Sequence, residues 1–172
     1  MRRTLASSIV VLALVAGSAS ARPDLERAGL SAPGNVGQVT FRWLGLPLYR
    51  AALFTEEGAD FTWQRPMALE LAYLRNISRD NLLEATLTEL ERIEGRKPDH
   101  DSLLGKLRGC FRDVRKGDTF VAVARARDVL SFWLNGRKTC ELRHTGVRER
   151  FLGIWLSDKS RSASLSRQLR GE

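Results

Sequence analysis

The chain has 172 residues, of which 43% are hydrophobic and 28% charged, with a formal net charge of +8 and two cysteines. That is enough apolar sequence for one domain of ordinary size with a real core. The positive residues are spread out with no block of five like charges, which argues against a nucleic-acid-binding tail, and no CxxC is present, so neither a thioredoxin-type redox site nor a cysteine zinc site is supported.

Met1-Arg2-Arg3 is basic, Ile9 to Val15 is unbroken apolar sequence, and Ala19-Ser20-Ala21 is a small-residue cleavage pattern. Together they read as a Sec-type signal peptide over residues 1–21. The apolar run is shorter than the roughly 20 residues a bilayer span needs, and no later segment reaches that length either. Cleavage would leave 151 residues of the 172, starting at Arg22, and a net charge of +6 once Arg2 and Arg3 are gone. The expected location is the periplasm. Residues 22–36 contain Pro23, Gly29, Pro33 and Gly34 and read as a leader without regular structure. The folded domain is then 37–172.

Gln38 to Leu44 alternates, with Val39, Phe41 and Trp43 on one face. Gly45-Leu46-Pro47 is a turn, and Leu48 to Phe54 is a second strand that completes a hairpin. On that strand Arg50 shares a face with Leu48, Ala52 and Phe54, and either face suits burial. Phe61 and Trp63 read as a short strand before Pro66. Met67 to Leu74 is a third long strand, with Glu70 on the face toward water. Ser78 suits the N-cap of a helix striped by Leu83, Leu87 and Leu90 and ended by Gly95. Pro98 and Asp99 open another helix, with Leu103, Leu107, Phe111 and Val114 on one face.

Three strands follow: Thr119 to Ala126, Leu130 to Leu134 and Lys138 to His144, the last two joined at Asn135-Gly136, a strong hairpin signal. Phe151 to Asp158 is apolar nearly all round, so that helix belongs between other layers. Gly153 within it offers room for a neighbouring backbone. Ser162 to Arg170 is a last helix. Strands, helices, strands, helices in that order specify an α+β fold: a large antiparallel sheet with helices packed on one face.

No GxSxG, P-loop, GxGxxG or HExxH occurs. His100, between Asp99 and Asp101, reads as an exposed residue at a helix start; His144 ends a strand and is a weak metal-ligand candidate. Cys110 and Cys140 form one disulfide in an oxidising compartment, or else remain two buried thiols. The remaining chemistry is arginine and tyrosine. Arg42, Arg50 and Arg79 are candidates for gripping a carboxylate with their planar forks, and Tyr49 and Tyr73 for adding hydroxyl donors. Such a set suits a long or flat apolar molecule with an acid group. The competing reading is surface ion pairs for the arginines and core packing for the tyrosines.

Leu48-Tyr49-Arg50-Ala51-Ala52-Leu53-Phe54, Arg115-Lys116-Gly117-Asp118, Leu134-Asn135-Gly136-Arg137 and Phe151-Leu-Gly-Ile-Trp-Leu-Ser-Asp158 occur in this order. This set resembles the chalcone isomerase-like family, and its exported bacterial branch more than the plant enzymes, from about Val36 to Gly171. The resemblance implies an open-faced β-sandwich, with a ligand cleft between sheet and helices. Enzymes of the family close a flavanone ring by adding a phenolate, using an early-strand arginine and a Tyr, Lys and Asn on the helix after the third long strand. The matching places here fall near Arg79, Leu82 and Thr86, and none keeps the enzyme's residue; Arg42 is the nearest candidate for the strand arginine. Non-catalytic members bind fatty acids, and exported members resemble haem binders. The expectation is therefore a periplasmic, non-catalytic protein binding a hydrophobic carboxylate, fatty acid or haem, through Arg42, Tyr49, Arg50, Tyr73, Arg79 and Thr86. Were haem the ligand, His144, Tyr49 or Tyr73 would be its axial residue, with Met67 behind them. The alternative is an isomerase acting on a chalcone-like phenolic substrate, with Arg42, Tyr49 and Tyr73 as electrophile and acid.

Overall fold

The computed structural model describes residues 22–172; the expected signal peptide lies outside them. Six strands form one sheet in which every neighbour is antiparallel and spatial order follows chain order: β1 (Pro33–Trp43), β2 (Leu46–Glu56), β3 (Met67–Tyr73), β4 (Thr119–Ala126), β5 (Val129–Leu134) and β6 (Arg137–Arg143). Between β3 and β4 the chain leaves the sheet to make α2 (Arg79–Glu94) and α3 (His100–Cys110). It then returns to pair beside the strand it left, Leu69 opposite Ala122. After β6 come α4 (Val147–Leu156) and α5 (Ala163–Leu169).

The period-two alternation of the strands decides what faces these helices. Ala51 and Leu53 of β2, Met67, Leu69 and Leu71 of β3, and Phe120, Ala122 and Ala124 of β4 are buried in one cluster with Leu83, Leu90, Leu103 and Leu107 of α2 and α3 and Phe151, Leu152 and Leu156 of α4. Ser78 caps α2 as expected, accepting a hydrogen bond from the Asn81 N–H at 3.2 Å. The α4 helix is wedged as its composition requires. Its terminal carbonyls, orphaned by the helix geometry, find partners in the last segment of the chain. Ser166 donates its hydroxyl to the Trp155 carbonyl, and Arg170 donates from Nη1 to the Leu156 carbonyl at 2.7 Å.

Several expectations change. Residues 22–36 are structured: Pro23–Arg27 form a short helix, α1, and β1 starts at Pro33. Leu25, Ala28 and Leu30 pack with Ala52, Phe54, Ala68, Val121 and Val123, so this segment covers the sheet face opposite the main helices. Glu70, expected toward water, lies under it and pairs with Arg22 at 17% side-chain exposure. Phe61 and Trp63 form no strand; they sit in a loop with their rings edge to face. Phe111 and Val114 are buried but lie beyond the end of α3. No other backbone approaches Gly153, where an added Cβ would meet only Ser157 of the same helix, at 3.8 Å. The close approach occurs instead at Gly37 of β1. A Cβ there would stand 2.4 Å from the Gln168 carbonyl oxygen and 2.6 Å from that of Leu169, because the C-terminal end of α5 lies on the strand.

Cys110, at the end of α3, is disulfide-bonded to Cys140 of β6, with their Cα atoms 5.0 Å apart. The bond ties the helix layer to the edge of the sheet.

Candidate functional site

The cleft between sheet and helices is present but narrow, with a cavity volume of about 110 Å³. Leu71 and Phe120 from the sheet, Phe111 after α3, Leu82 from α2, and Phe151 and Ile154 from α4 make its apolar walls. Polar groups enter from Tyr49, Tyr73, Thr86, Glu89 and Trp155. Tyr49 and Tyr73 are cross-strand partners on β2 and β3, so the pleat puts both rings on the helix-facing side, with centroids 5.8 Å apart.

The indole N–H of Trp155 donates to the Tyr49 hydroxyl at 3.0 Å. That bond leaves the Tyr49 O–H proton free to donate elsewhere. Burial raises the Tyr49 pKa to about 12, against the opposing effect of the Trp155 hydrogen bond and with a smaller push from Glu89. Burial raises Tyr73 further, with Tyr49 adding to it. Both phenols are therefore neutral hydrogen-bond donors at ordinary pH. Thr86 donates its hydroxyl to the Leu82 carbonyl at 2.7 Å and keeps its acceptor lone pairs.

The three arginines proposed from the sequence do not line this cleft. Arg50 lies opposite Thr40 and Ala72 on the other face of the sheet and is exposed. Arg42 follows a bulge in β1, turns back to donate to the Gly45 carbonyl at 3.2 Å, and is exposed. Arg79 lies in the first turn of α2, 43% exposed and 3.7 Å from the Asp80 carboxylate. Positive charge does stand by the cleft, from residues the sequence did not single out. Glu89 accepts from Arg92 at 2.8 Å and from Arg161, both nitrogens being Nε. One turn before Glu89 on α2, the exposed Ala85 marks the mouth.

The two histidines belong to another cluster. His100 is 3% exposed, contrary to the expectation of a surface residue, and its Nε2 lies 2.9 Å from Glu94 Oε1. His144 Nε2 lies 2.9 Å from Asp99 Oδ2. Arg150 bridges the two pairs, donating from Nη2 to Glu94 and from Nη1 to Asp99, both at 2.7 Å. Among the described residues no group of three or more His, Cys, Asp or Glu side chains could hold a metal ion. Each histidine ring is engaged by a carboxylate, and the cluster ties α2, α3 and α4 together.

A larger depression, of about 450 Å³, opens on the outer sheet face beside α1, between Arg22, Glu70 and Trp133. Its charged groups pair with one another, Arg22 with Asp24 and Glu70. The inner cleft, with apolar walls and free phenol donors, is the better candidate.

The model of the family described as chalcone isomerase-like matches residues 41–171. The chain belongs to the chalcone isomerase-like family. Among solved structures it is similar to a fatty-acid binding protein of Arabidopsis thaliana, with a TM-score of 0.64 and 12% sequence identity over 81% of this chain and 87% of that one. Among curated proteins it is 26% identical over 137 residues to an uncharacterised protein of Haemophilus influenzae, covering 80% of this chain and 67% of that protein. The chalcone isomerase-like assignment accounts for the six-stranded open sheet with its helices.

Within this family fold, the places near Arg79, Leu82 and Thr86 divide by helical phase. Leu82 and Thr86 face the cleft and Arg79 does not. Trp155 and Glu89 were missed because their roles depend on contacts with Tyr49, 106 residues away, and with Arg161, 72 residues away. Haem does not fit the residues present: no histidine, methionine or cysteine lines the cleft, and Met67 is fully buried in the core. Burial also disfavours the phenolate that either tyrosine would need in order to ligate iron.

Proposed function

We propose that this is an exported, non-catalytic binding protein whose cleft takes the acyl chain of a fatty acid, with the Tyr49 and Tyr73 hydroxyls donating to the carboxylate. The observation that carries this reading is a pair of neutral phenols, Tyr73 buried and Tyr49 half-buried, in a cleft whose walls are mostly apolar. A neutral donor grips a carboxylate without bringing a second charge out of water. The fatty-acid binding activity named for the Arabidopsis relative supports the same ligand class. Haem is the weaker candidate, for want of an axial residue.

A cavity of about 110 Å³ is smaller than the roughly 300–1,000 Å³ of ordinary ligand pockets. Entry of a long chain therefore requires α2 and α4 to part at Leu82, Ala85 and Ile154. Breaking the Trp155–Tyr49 hydrogen bond as α4 moves would leave Tyr49 facing the headgroup. Periplasmic location is the expectation from residues 1–21, and the Cys110–Cys140 bond supports it because disulfides persist in oxidising compartments.

The test is displacement of a fluorescent polyene fatty acid from the purified protein, together with mass spectrometry of lipid extracted from it. Micromolar binding is expected, lost when Ala85→Trp closes the mouth and weakened in the Tyr49→Phe, Tyr73→Phe double variant. Absence of binding by the folded protein, or binding indifferent to Ala85→Trp, would overturn the reading.

A further inference from the structure

The hairpin between β1 and β2 carries an expense that folding does not explain. Among the described residues, the exposed large apolar side chains are Trp43, Leu44 and Leu46, at 54%, 87% and 51% exposure, and all three sit in this one turn. Trp43 pairs with Leu46, so the loop is the two residues Leu44 and Gly45, both at positive φ, 48° and 77°. That is the turn geometry that favours Asn-Gly. The same chain uses Asn-Gly in that geometry elsewhere: Asn135 and Gly136 connect β5 to β6 with φ of 49° and 75°. Leucine at the first position strains the backbone and leaves its side chain in water, gaining nothing for the turn.

Positive charge surrounds this tip. Arg42 Nη1 donates to the Gly45 carbonyl at 3.2 Å, and Arg75 Nε to the Pro47 carbonyl at 3.3 Å. The Arg161 guanidinium lies over the Trp43 ring, 5.6 Å from its centroid. No Asp or Glu occurs anywhere from residue 33 to residue 55. The Glu89 carboxylate that meets Arg161 is shared with Arg92.

From this we propose that the Trp43–Leu46 tip is a membrane-docking loop. It inserts Trp43, Leu44 and Leu46 into the interface of an anionic phospholipid surface, while Arg42, Arg75 and Arg161 meet the headgroups. An amphipathic tryptophan, neighbouring leucines and an arginine collar are the chemistry that partitions into that interface. No helix among the described residues is long and apolar enough to cross a membrane, so the contact is peripheral. Arg161 touches both Trp43 and Glu89 of the cleft lining, so docking by this tip brings the cleft mouth to the lipid. The proposal stands on the hairpin alone and does not require a fatty-acid ligand.

The test is co-sedimentation of the protein, expressed from its full-length chain, with vesicles of phosphatidylcholine alone and of phosphatidylcholine with phosphatidylglycerol. The wild type is expected to sediment with the anionic vesicles, less so as salt rises. Leu44→Asn supplies the residue this turn prefers, so it is expected to unfold no earlier than wild type yet to lose vesicle binding by about tenfold. Arg42→Gln with Arg75→Gln should weaken binding to anionic vesicles and leave the cleft's ligand binding unchanged. Wild type that stays in the supernatant with anionic vesicles at low salt overturns the proposal, as does Leu44→Asn that sediments like wild type. A dimer in sedimentation equilibrium that Leu44→Asn converts to monomer, with no vesicle binding by either, also overturns it and assigns the tip to a second copy. Fatty-acid displacement in solution is read without vesicles, so the two readings fail separately.

Discussion

Trp155 of α4 reaches across the cleft to hydrogen-bond Tyr49 of β2 at 3.0 Å, joining the two layers at the place where a ligand would part them. The bond is polar, sits in apolar surroundings, and is made by residues far apart in the chain. It holds the cleft narrow and presents a phenol whose own proton is unused.

The tyrosines should betray this burial in a titration. Tyr49 is raised to about 12 by burial, and Tyr73 is raised as well. In the folded protein neither should ionise near the ordinary phenol value of about 10. The sign follows from the upward shift: stability is fully present below about 10 and is lost as pH rises toward the folded values. Tyrosinate absorbance in the native and guanidinium-unfolded protein measures this. Native ionisation at the unfolded value would mean that the cleft is open to water.

At the acid end the Arg150 cluster governs. Burial pushes Glu94 up, but hydrogen bonds from Arg150, Lys97 and His100 outweigh it and leave its carboxyl below the usual range. Hydrogen bonds from Arg150 and His144 hold Asp99 below that range too. Depressed carboxylates stabilise above their unfolded pKa of about 4 and lose that stabilisation as pH falls through the folded values. Arg150→Gln should cost about 1–3 kcal/mol at neutral pH, through its part-buried contact with Glu94. Urea midpoints of the two proteins should draw together as pH falls below the unfolded carboxylate value of about 4. A constant gap at all pH values would remove the cluster from the account.

The disulfide joins Cys110 to Cys140, 30 positions apart in the chain. The chain-entropy model assigns such a closure about 3–4 kcal/mol. Reduction, or replacement of both cysteines by serine, should lower stability by roughly that amount and still leave a native near-ultraviolet spectrum, because the bond lies at the edge of the sheet. A thermal melt with and without reductant reads it.

Gly37→Ala should displace the C-terminal helix. Its methyl group would enter the carbonyl oxygens of Gln168 and Leu169, so the strand or α5 must shift. A loss of about 1–3 kcal/mol is expected, the usual cost of overpacking. Faster hydrogen exchange should appear first in 163–169. Gly153→Ala, which meets only ordinary contact with Ser157, should be tolerated by comparison.

What was legible in the chain was local. Thr119–Ala126 has the same bounds in the sequence pattern and in the structure because alternation and the flanking turns are properties of neighbouring residues. The Asn135-Gly136 hairpin and the Ser78 cap were legible for the same reason. Tyr49, Tyr73 and Thr86, three of the candidates, line the cleft. Arg50 was ambiguous because both faces of β2 carry apolar residues: Ala51 and Leu53 go to the main core, and Ala52 and Phe54 go under α1. Only the docking of residues 23–30 on the outer face shows that this side is a second, smaller core with Arg50 beyond its edge. The histidines were misjudged because their carboxylate partners come from tertiary packing: Glu94 lies across the α2–α3 connection from His100, and Asp99 is 45 residues from His144.

The order of residues by itself determined the α+β architecture, the strand and helix periods and the family, since each is carried by spacing or by motifs along the chain. Tertiary structure alone decided which arginines stand beside the cleft, that Trp155 bonds Tyr49, that the histidines are engaged by carboxylates, and that three apolar side chains are left exposed at one hairpin tip. Those outcomes depend on which faces meet once the layers pack, and packing brings together groups whose separation in sequence carries no information about their distance in space.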